Sequence, residues 1–191
     1  MATKDTVRLF IPGVGHVFHA PVDTLEMDLD TFNFLDESTW GEWTWLGDVS
    51  QENLIEFETD GGDPTTKRSW DRQNLRVIRE AQTVSGTVNS INASGKDMAL
   101  AFPGGTYDAT TNSFTPSGTG ESAQIAMMVV VEDGNEVGGI VFPNVDMQGR
   151  LPSFSLEEFT EFPLPFNVLN SPTTGAPWHW FAPRPRTTAG A

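Results

Sequence analysis

Cysteine is absent from the 191-residue chain, which rules out a disulfide framework, a thiolate nucleophile and a cysteine-ligated zinc site. Histidine is nearly absent, at 3 residues, so imidazole chemistry has few places to sit. Positive charge is scarce: 11 Lys and Arg stand against 26 Asp and Glu, for a net charge of -15 and a pI of about 4.3. A surface this acidic repels the phosphate backbone of a nucleic acid and the anionic face of a membrane. Long apolar runs are missing too. The longest, Ile125 to Val131, falls far short of the roughly 20 residues a membrane helix needs. The opening M-A-T-K-D-T-V lacks the apolar core of a secretory signal, so the chain is expected to be soluble and made without export. The sequence has no G-x-S-x-G, no P-loop and no G-x-G-x-x-G after a strand, and with them go common hydrolase, NTPase and dinucleotide signatures.

What is present is apolar material and punctuation. Hydrophobic residues are 38% and aromatics 10%, enough for a core and too much for disorder over the whole length. The 18 Gly and 13 Pro, spread along the chain, divide it into many short elements, as in a mainly β protein. One domain is expected over residues 1–181, with a Pro- and Thr-rich tail at 182–191 expected to be disordered. Residues 1–20 carry Val7, Leu9 and Ile11, then P-G-V-G-H-V-F-H-A-P. The glycines and flanking prolines make this an extended arm or an edge strand.

Two stretches alternate apolar and acidic residues. Leu25, Met27 and Leu29 interleave with Glu26, Asp28 and Asp30, and Ile55 and Phe57 interleave with Glu56, Glu58 and Asp60. Each reads as a half-buried strand whose outer face is either merely solvated or chosen for negative charge. The loop from Gly61 to Ser69 follows, longer than a hairpin needs. With its flanks it mixes Asp60 and Asp63 with Lys67, Arg68 and Arg72; it is a mobile loop or a contact with a second copy, where acid meets base. Strands are expected again at Asn74–Glu80 and Thr83–Ile91.

The spacing predicts one short helix over Ser94–Phe102, with Ser94 as N-cap, Asp97 completing a capping box, and Pro103 with Gly104 and Gly105 as the stop. Thr106–Gly120 reads as a surface hairpin or loop. Ile125–Val131 reads as a central strand covered on both faces, turning at Asp133-Gly134 into a partner over Gly139–Val145. Phe154–Leu169 reads as a last long strand, placed at an edge or bulge by Pro163 and Pro165.

Candidate chemistry is thin. His16 and His19 share the H-V-F-H spacing of two ligands on a helical turn, but their Gly and Pro context opposes a helix there. The D-G-G-D and E-D-G-N-E stretches lack the order of a calcium loop and read as turns. Carboxylates are numerous enough that a pair at glycosidase separation carries no information, and the 6 Trp read as core and interface anchors before sugar platforms. No catalytic residue, cofactor or metal site is assigned.

The order W-T-W-L-G-D-V-S, strand, long charged loop, W-D-R-Q, strand, then S-x-x-x-D-M-A-L-A-F-P-G-G resembles the major tail tube proteins of long-tailed (siphovirus-type) bacteriophages, in the form found in phages of actinobacteria. An N-terminal G-x-x-F-x-A-P-x-D-T arm and a late W-x-W extend the likeness over most of the chain. The resemblance implies a β-sandwich-like or barrel-like domain with one flanking helix, a long hairpin loop and extended terminal arms. It implies a virion protein, assembled in the host cytoplasm, six copies of which form a ring whose sheets join into one barrel. Stacked rings would surround the tape measure protein, meet tail tip or baseplate and tail terminator proteins, and let DNA pass without specific binding. Carried onto this chain, the ring-stacking loop is Asp60, Gly61, Gly62, Asp63, Pro64, Lys67, Arg68 and Arg72, and the arm contacts are Val7, Leu9, Ile11 and Phe18. The acidic lumen is Glu26, Asp28 and Asp30, or Glu56 and Glu58, since a wall that DNA must slide past is best acidic. A minor tail or capsid decoration protein, or a carbohydrate-binding module, remains as the alternative.

Overall fold

The apolar run at Ile125–Val131 becomes the middle of one large antiparallel sheet. The computed structural model describes residues 10–71, 76–92, 94–119, 121–152, 154, 156, 157 and 159–186. In chain order its strands are β1 (Val14–Ala20), β2 (Thr44–Trp45), β3 (Glu56–Asp60), β4 (Pro64–Lys67), β5 (Arg76–Arg79) and β6 (Thr83–Ser90). The helix α1 (Gly95–Ala101) follows, then β7 (Thr106–Asp108), β8 (Ser113–Thr115), β9 (Ala123–Asp133), β10 (Glu136–Met147), β11 (Phe162–Val168) and β12 (His179–Pro185). The large sheet runs β2-β1-β9-β10-β11-β6-β3, with β12 also on β10. β4 pairs only with β5, and β7 only with β8.

The β9–β10 hairpin closes through Gly134, whose φ of +59° suits the turn at Asp133-Gly134. Its two faces feed two separate cores. Met128, Val130, Val137 and Val141 join Phe18, Leu29, Phe32, Trp40 and Trp43 on one face. Met127, Phe142, Val145 and Met147 join Val17, Val88, Leu164 and Phe166 on the other, with Ala101 of the helix above them. A bulge between Phe142 and Val145 inserts an extra residue and bends the hairpin. The helix starts as its sequence dictates. The Ser94 hydroxyl accepts from the Asp97 N–H at 3.2 Å and donates to the Asp97 carboxylate at 2.7 Å, and Gly104 beyond its end has φ +79°.

Four expectations need correction. Leu25–Phe32 forms no strand, although Met27, Leu29 and Phe32 are buried and Glu26 and Asp28 exposed as the alternation requires. The Asp28 carboxylate accepts from the Asp30 N–H and the Thr31 hydroxyl, and this local turn takes backbone groups that a ladder would use. β11 is short and internal: it begins at Phe162, between β10 and β6. Its prolines are tolerated because the Pro163 and Pro165 carbonyls accept from the N–H groups of Arg150 and Gln148, just past the end of β10. Both prolines thus turn their donor-less nitrogens toward Arg150 and Gln148 rather than toward β6, so the β11–β6 ladder keeps its bonds and each proline forfeits only the return bond beyond the end of β10. β1 is a full partner of β9 over Val14–Ala20 and only its tip meets β2. Finally, order continues past residue 181, since β12 reaches Pro185; residues 187–191 of the expected tail lie outside the described residues.

Ion pairs hold that last strand down. Arg184 pairs with Asp30 at 2.8 Å, and Arg186 pairs with Glu132 while its guanidinium lies 5.8 Å above the Phe32 ring. Glu132 also stands 3.5 Å from Nε2 of His16, whose ring stacks on Phe34 at 3.7 Å. Burial holds the His16 imidazole below its ordinary 6.5, with Glu132 opposing and Arg186 reinforcing the shift. Because the unfolded chain then takes up this proton first, the contribution of His16 is complete above pH 6.5 and is lost as pH falls below it. Thermal unfolding between about pH 5 and 7.5 is expected to show a midpoint that drops on the acid side, and His16→Gln is expected to flatten that drop. Phe142 is 1% exposed and packs at 6.0 Å from Phe166 and 5.5 Å from Phe57. Phe142→Ala is expected to cost about 3–5 kcal/mol in denaturant unfolding.

Candidate assembly surfaces

The sheet face that carries the first core does not stay covered. Register alone brings polar side chains into line across it. Gln124 on β9 opposes Asp146 on β10, which opposes Asn167 on β11, then Ser85 on β6, then Glu58 on β3. The adjacent row runs Glu56, Thr87, Pro165. Side chains alternate between faces, so these rows share one face while Phe57, Val88, Leu164 and Phe166 take the other. The result is a shallow polar groove of about 620 Å³ lined by Glu56, Glu58, Ser85, Thr87, Asn89 and Asn167 among others. Gly86 lies behind it where a Cβ would come within 2.7 Å of the Phe166 ring, so the apolar face closes tightly against this wall. The strand sides at both ends of the Glu58 row are open. Among the described residues β3 ends the sheet, and the β1 pairing stops at Ala126, leaving Ala123–Ile125 with no strand on the side away from β10.

The two acidic stripes thus part company. Glu56 and Glu58 stand together on an uncovered sheet face, with Asp146 in the same rows. Glu26, Asp28 and Asp30 sit on the irregular segment that covers the first core. That cover is pinned by indole N–H groups, Trp43 donating to the Glu26 carbonyl at 2.9 Å and Trp40 to the Asn33 carbonyl at 3.2 Å. Asp30 is already paired with Arg184, and the Thr31 hydroxyl and the Asp30 N–H hold the Asp28 carboxyl below its ordinary value.

Within residues 60–71, β4 (Pro64–Lys67) makes the stretch one side of a two-stranded ribbon. Asp60 opposes Thr83 at the end of the sheet, three residues intervene on each chain, and Pro64 opposes Arg79 as pairing resumes. Gly61 and Gly62 make this joint, with φ of +83° and +80°. A Cβ on Gly61 would also meet the Ala81 carbonyl oxygen at 2.5 Å, so glycine is required there on both counts. Beyond the joint, Asp63, Pro64, Lys67 and Arg68 are exposed and the Trp70 side chain is wholly so. Arg72 lies outside the described residues.

Of the expected arm contacts, Val7 and Leu9 lie outside the described residues and Ile11 is exposed. Phe18 is a correction. It is fully buried in the first core, edge-on to Phe32 and Trp40, and cannot reach a neighbour. His16 and His19, three residues apart on β1, fall on opposite faces of the sheet and cannot share a metal. Sequence reading missed Gln124, Asp146 and Asn167 as members of the polar face, because they come from strands far apart in the chain. It also missed the anchoring of β12 by Arg184 and Arg186, for which the W-H-W-F run before them was the available signal.

A family model described as phage tail tube protein matches residues 1–191. The chain is also similar to the major tail protein Gp23 of Mycobacterium phage D29, at 30% identity over 141 residues that cover 71% of this chain and 70% of that protein. It is 28% identical over 144 residues to the major tail protein Gp23 of Mycobacterium phage L5, again covering 71% of this chain and 70% of the relative.

Proposed function

The chain belongs to the phage tail tube protein family and is a structural component of the virion, and on that premise we propose that its copies close into rings, six to a ring, and stack into a hollow tube. The observation that carries this reading is the polar face. A row of five polar side chains crosses five strands with no described element covering it, and among the described residues the strand sides at both its ends are open. Open strand edges invite pairing with another chain, and joining them between copies would extend the rows around a closed wall. The wall would then present Glu56, Glu58, Ser85, Thr87 and Asn167 inward. Carboxylates, hydroxyls and amides on that wall repel phosphate and offer no base-specific contact, which is what passage of DNA asks. The reading is structural, and no catalytic role is part of it.

Rings use head-to-tail contacts that close by rotation, while stacking along the axis stays open. The ribbon of β4 and β5 supports the second contact. It reaches out from the sheet, shares no extensive contact with another described element, and exposes Val77 and Ile78. In this account it bridges successive rings, and exposed Ile11 of the arm contributes beside it. The tape measure protein would occupy the lumen during assembly, with tail tip and tail terminator proteins at the two ends.

Because Asp60 and Thr83 are in register, residues 61–82 are replaceable by a two-residue Asn-Gly turn closing β3 directly on β6. Negative-stain microscopy of the concentrated wild-type chain, with tail tips present to nucleate it, is expected to show hollow tubes of stacked rings. The shortened chain is expected to fold with the same thermal midpoint to within a few degrees and to form no tubes. Wild-type chain that stays monomeric under these conditions would contradict the tube reading, and full-length tubes from the shortened chain would contradict the role of the ribbon.

A further inference from the structure

We propose that the ribbon of β4 and β5 docks on the acidic cover, residues 26–42, of a neighbouring copy of this chain. The proposal rests on the tube reading above and names the surface that receives the ribbon. Positive charge is unevenly placed along the sequence. Between Arg8 and Lys67 there is no lysine or arginine, while carboxylates recur every few residues. Lys67, Arg68, Arg76 and Arg79 then follow on or beside β4 and β5, with Asp63, Asp71 and Glu80 as the carboxylates there.

The fold does not bring these two sets together. The ion pairs among described residues join His16 and Arg186 to Glu132 and Arg184 to Asp30; none reaches Lys67, Arg68, Arg76 or Arg79, and none reaches Glu26, Glu37 or Glu42. The ribbon shares no extensive contact with any other described helix or strand of its own chain. Within the ribbon, Lys67 stands directly opposite Arg76. Like charges in that register work against the pairing that holds β4 to β5, and an anionic surface would offset them. A small two-stranded ribbon is marginal by itself, and a docked partner would stabilise it.

The cover supplies the complement. Glu26, Glu37 and Glu42 are exposed on it, and Leu35 stands among them at 90% exposure. Val77, Ile78 and Trp70 are the exposed apolar residues of the ribbon. Basic and apolar thus face acidic and apolar. Each copy carries one ribbon and one cover on separate parts of its surface, so the contact is head-to-tail and propagates from copy to copy without closing on itself.

The test uses two full-length charge-reversed chains. One carries Lys67→Glu, Arg68→Glu, Arg76→Glu and Arg79→Glu; the other carries Glu26→Lys, Glu37→Lys and Glu42→Lys, positions whose side chains make no hydrogen bond among the described residues. Each monomer is checked by thermal unfolding, and assembly is read by sedimentation and negative-stain microscopy. Each chain alone is expected to lose about tenfold or more of its sedimenting polymer. An equimolar mixture is expected to recover tubes, because each reversed ribbon then meets a reversed cover on the other chain. If a triple or quadruple reversal costs folding, Arg76→Glu and Glu37→Lys repeat the comparison at smaller amplitude. Either variant assembling like wild type, or a mixture of folded variants that stays unassembled, would overturn the docking assignment and leave the tube reading standing. Wild-type chain that never forms tubes would overturn both.

Discussion

Everything in this molecule hangs on the β9–β10 hairpin being buried on both faces. Met127 and Phe142 look one way, Met128 and Val141 the other, and none is more than 1% exposed. A hairpin of that kind needs two covers. The helix α1 with β6 and β11 supplies one, and the segment from Leu25 to Trp43 supplies the other. The hydrophobic effect has no direction of its own, so it is the alternation of side chains along these two strands that assigns each cover to its face. The bulge at Phe142–Val145 then bends the hairpin. Past that bend the same face carries Gln124 and Asp146 in place of Ala126 and Met128, and it is open.

That change of character along one face links fold to function. The apolar half must be sealed within the chain; the polar half is a sheet surface that water can reach. Among the described residues its strands end at open sides, which the proposed tube would use as joints. The prolines of β11 fit the same logic. They place rigid, uncharged groups in the polar rows while their carbonyls accept from Gln148 and Arg150. Beside the wall, the double-glycine joint at Gly61 and Gly62 lets β3 and β6 continue past the sheet as a separate ribbon, carrying much of the positive charge of an acidic chain to where another copy can meet it.

How much of this was legible in the sequence depended on whether the signal was local. The Ser94 cap, the Asp133-Gly134 turn and the two-sided burial of Ile125–Val131 are written in neighbouring residues and hold in the structure. The segment from Leu25 to Phe32 shows why a period of two is not proof of a strand: Met27, Leu29 and Phe32 need only point inward, and Asp28 satisfies the backbone by itself. The ribbon was hidden because Lys67 opposite Arg76 is a poor pair in isolation, so the stretch reads as a loop. β12 was hidden by its prolines, although Arg184 and Arg186 find carboxylates set by distant parts of the chain. The polar rows were the least legible of all. Glu56 and Glu58 stand out in the sequence, but their union with Ser85, Asn167 and Asp146 exists only through cross-strand register.

The central claim is that this face is the inner wall of the tube. A side-chain-resolution electron cryomicroscopy map of the assembled tail tests it most directly. The account predicts Glu56, Glu58, Ser85 and Thr87 lining the lumen, with the Glu26–Glu42 cover away from it. A map in which that face is buried between subunits or turned to the outside, with Glu26 and Asp28 on the lumen, would contradict the account.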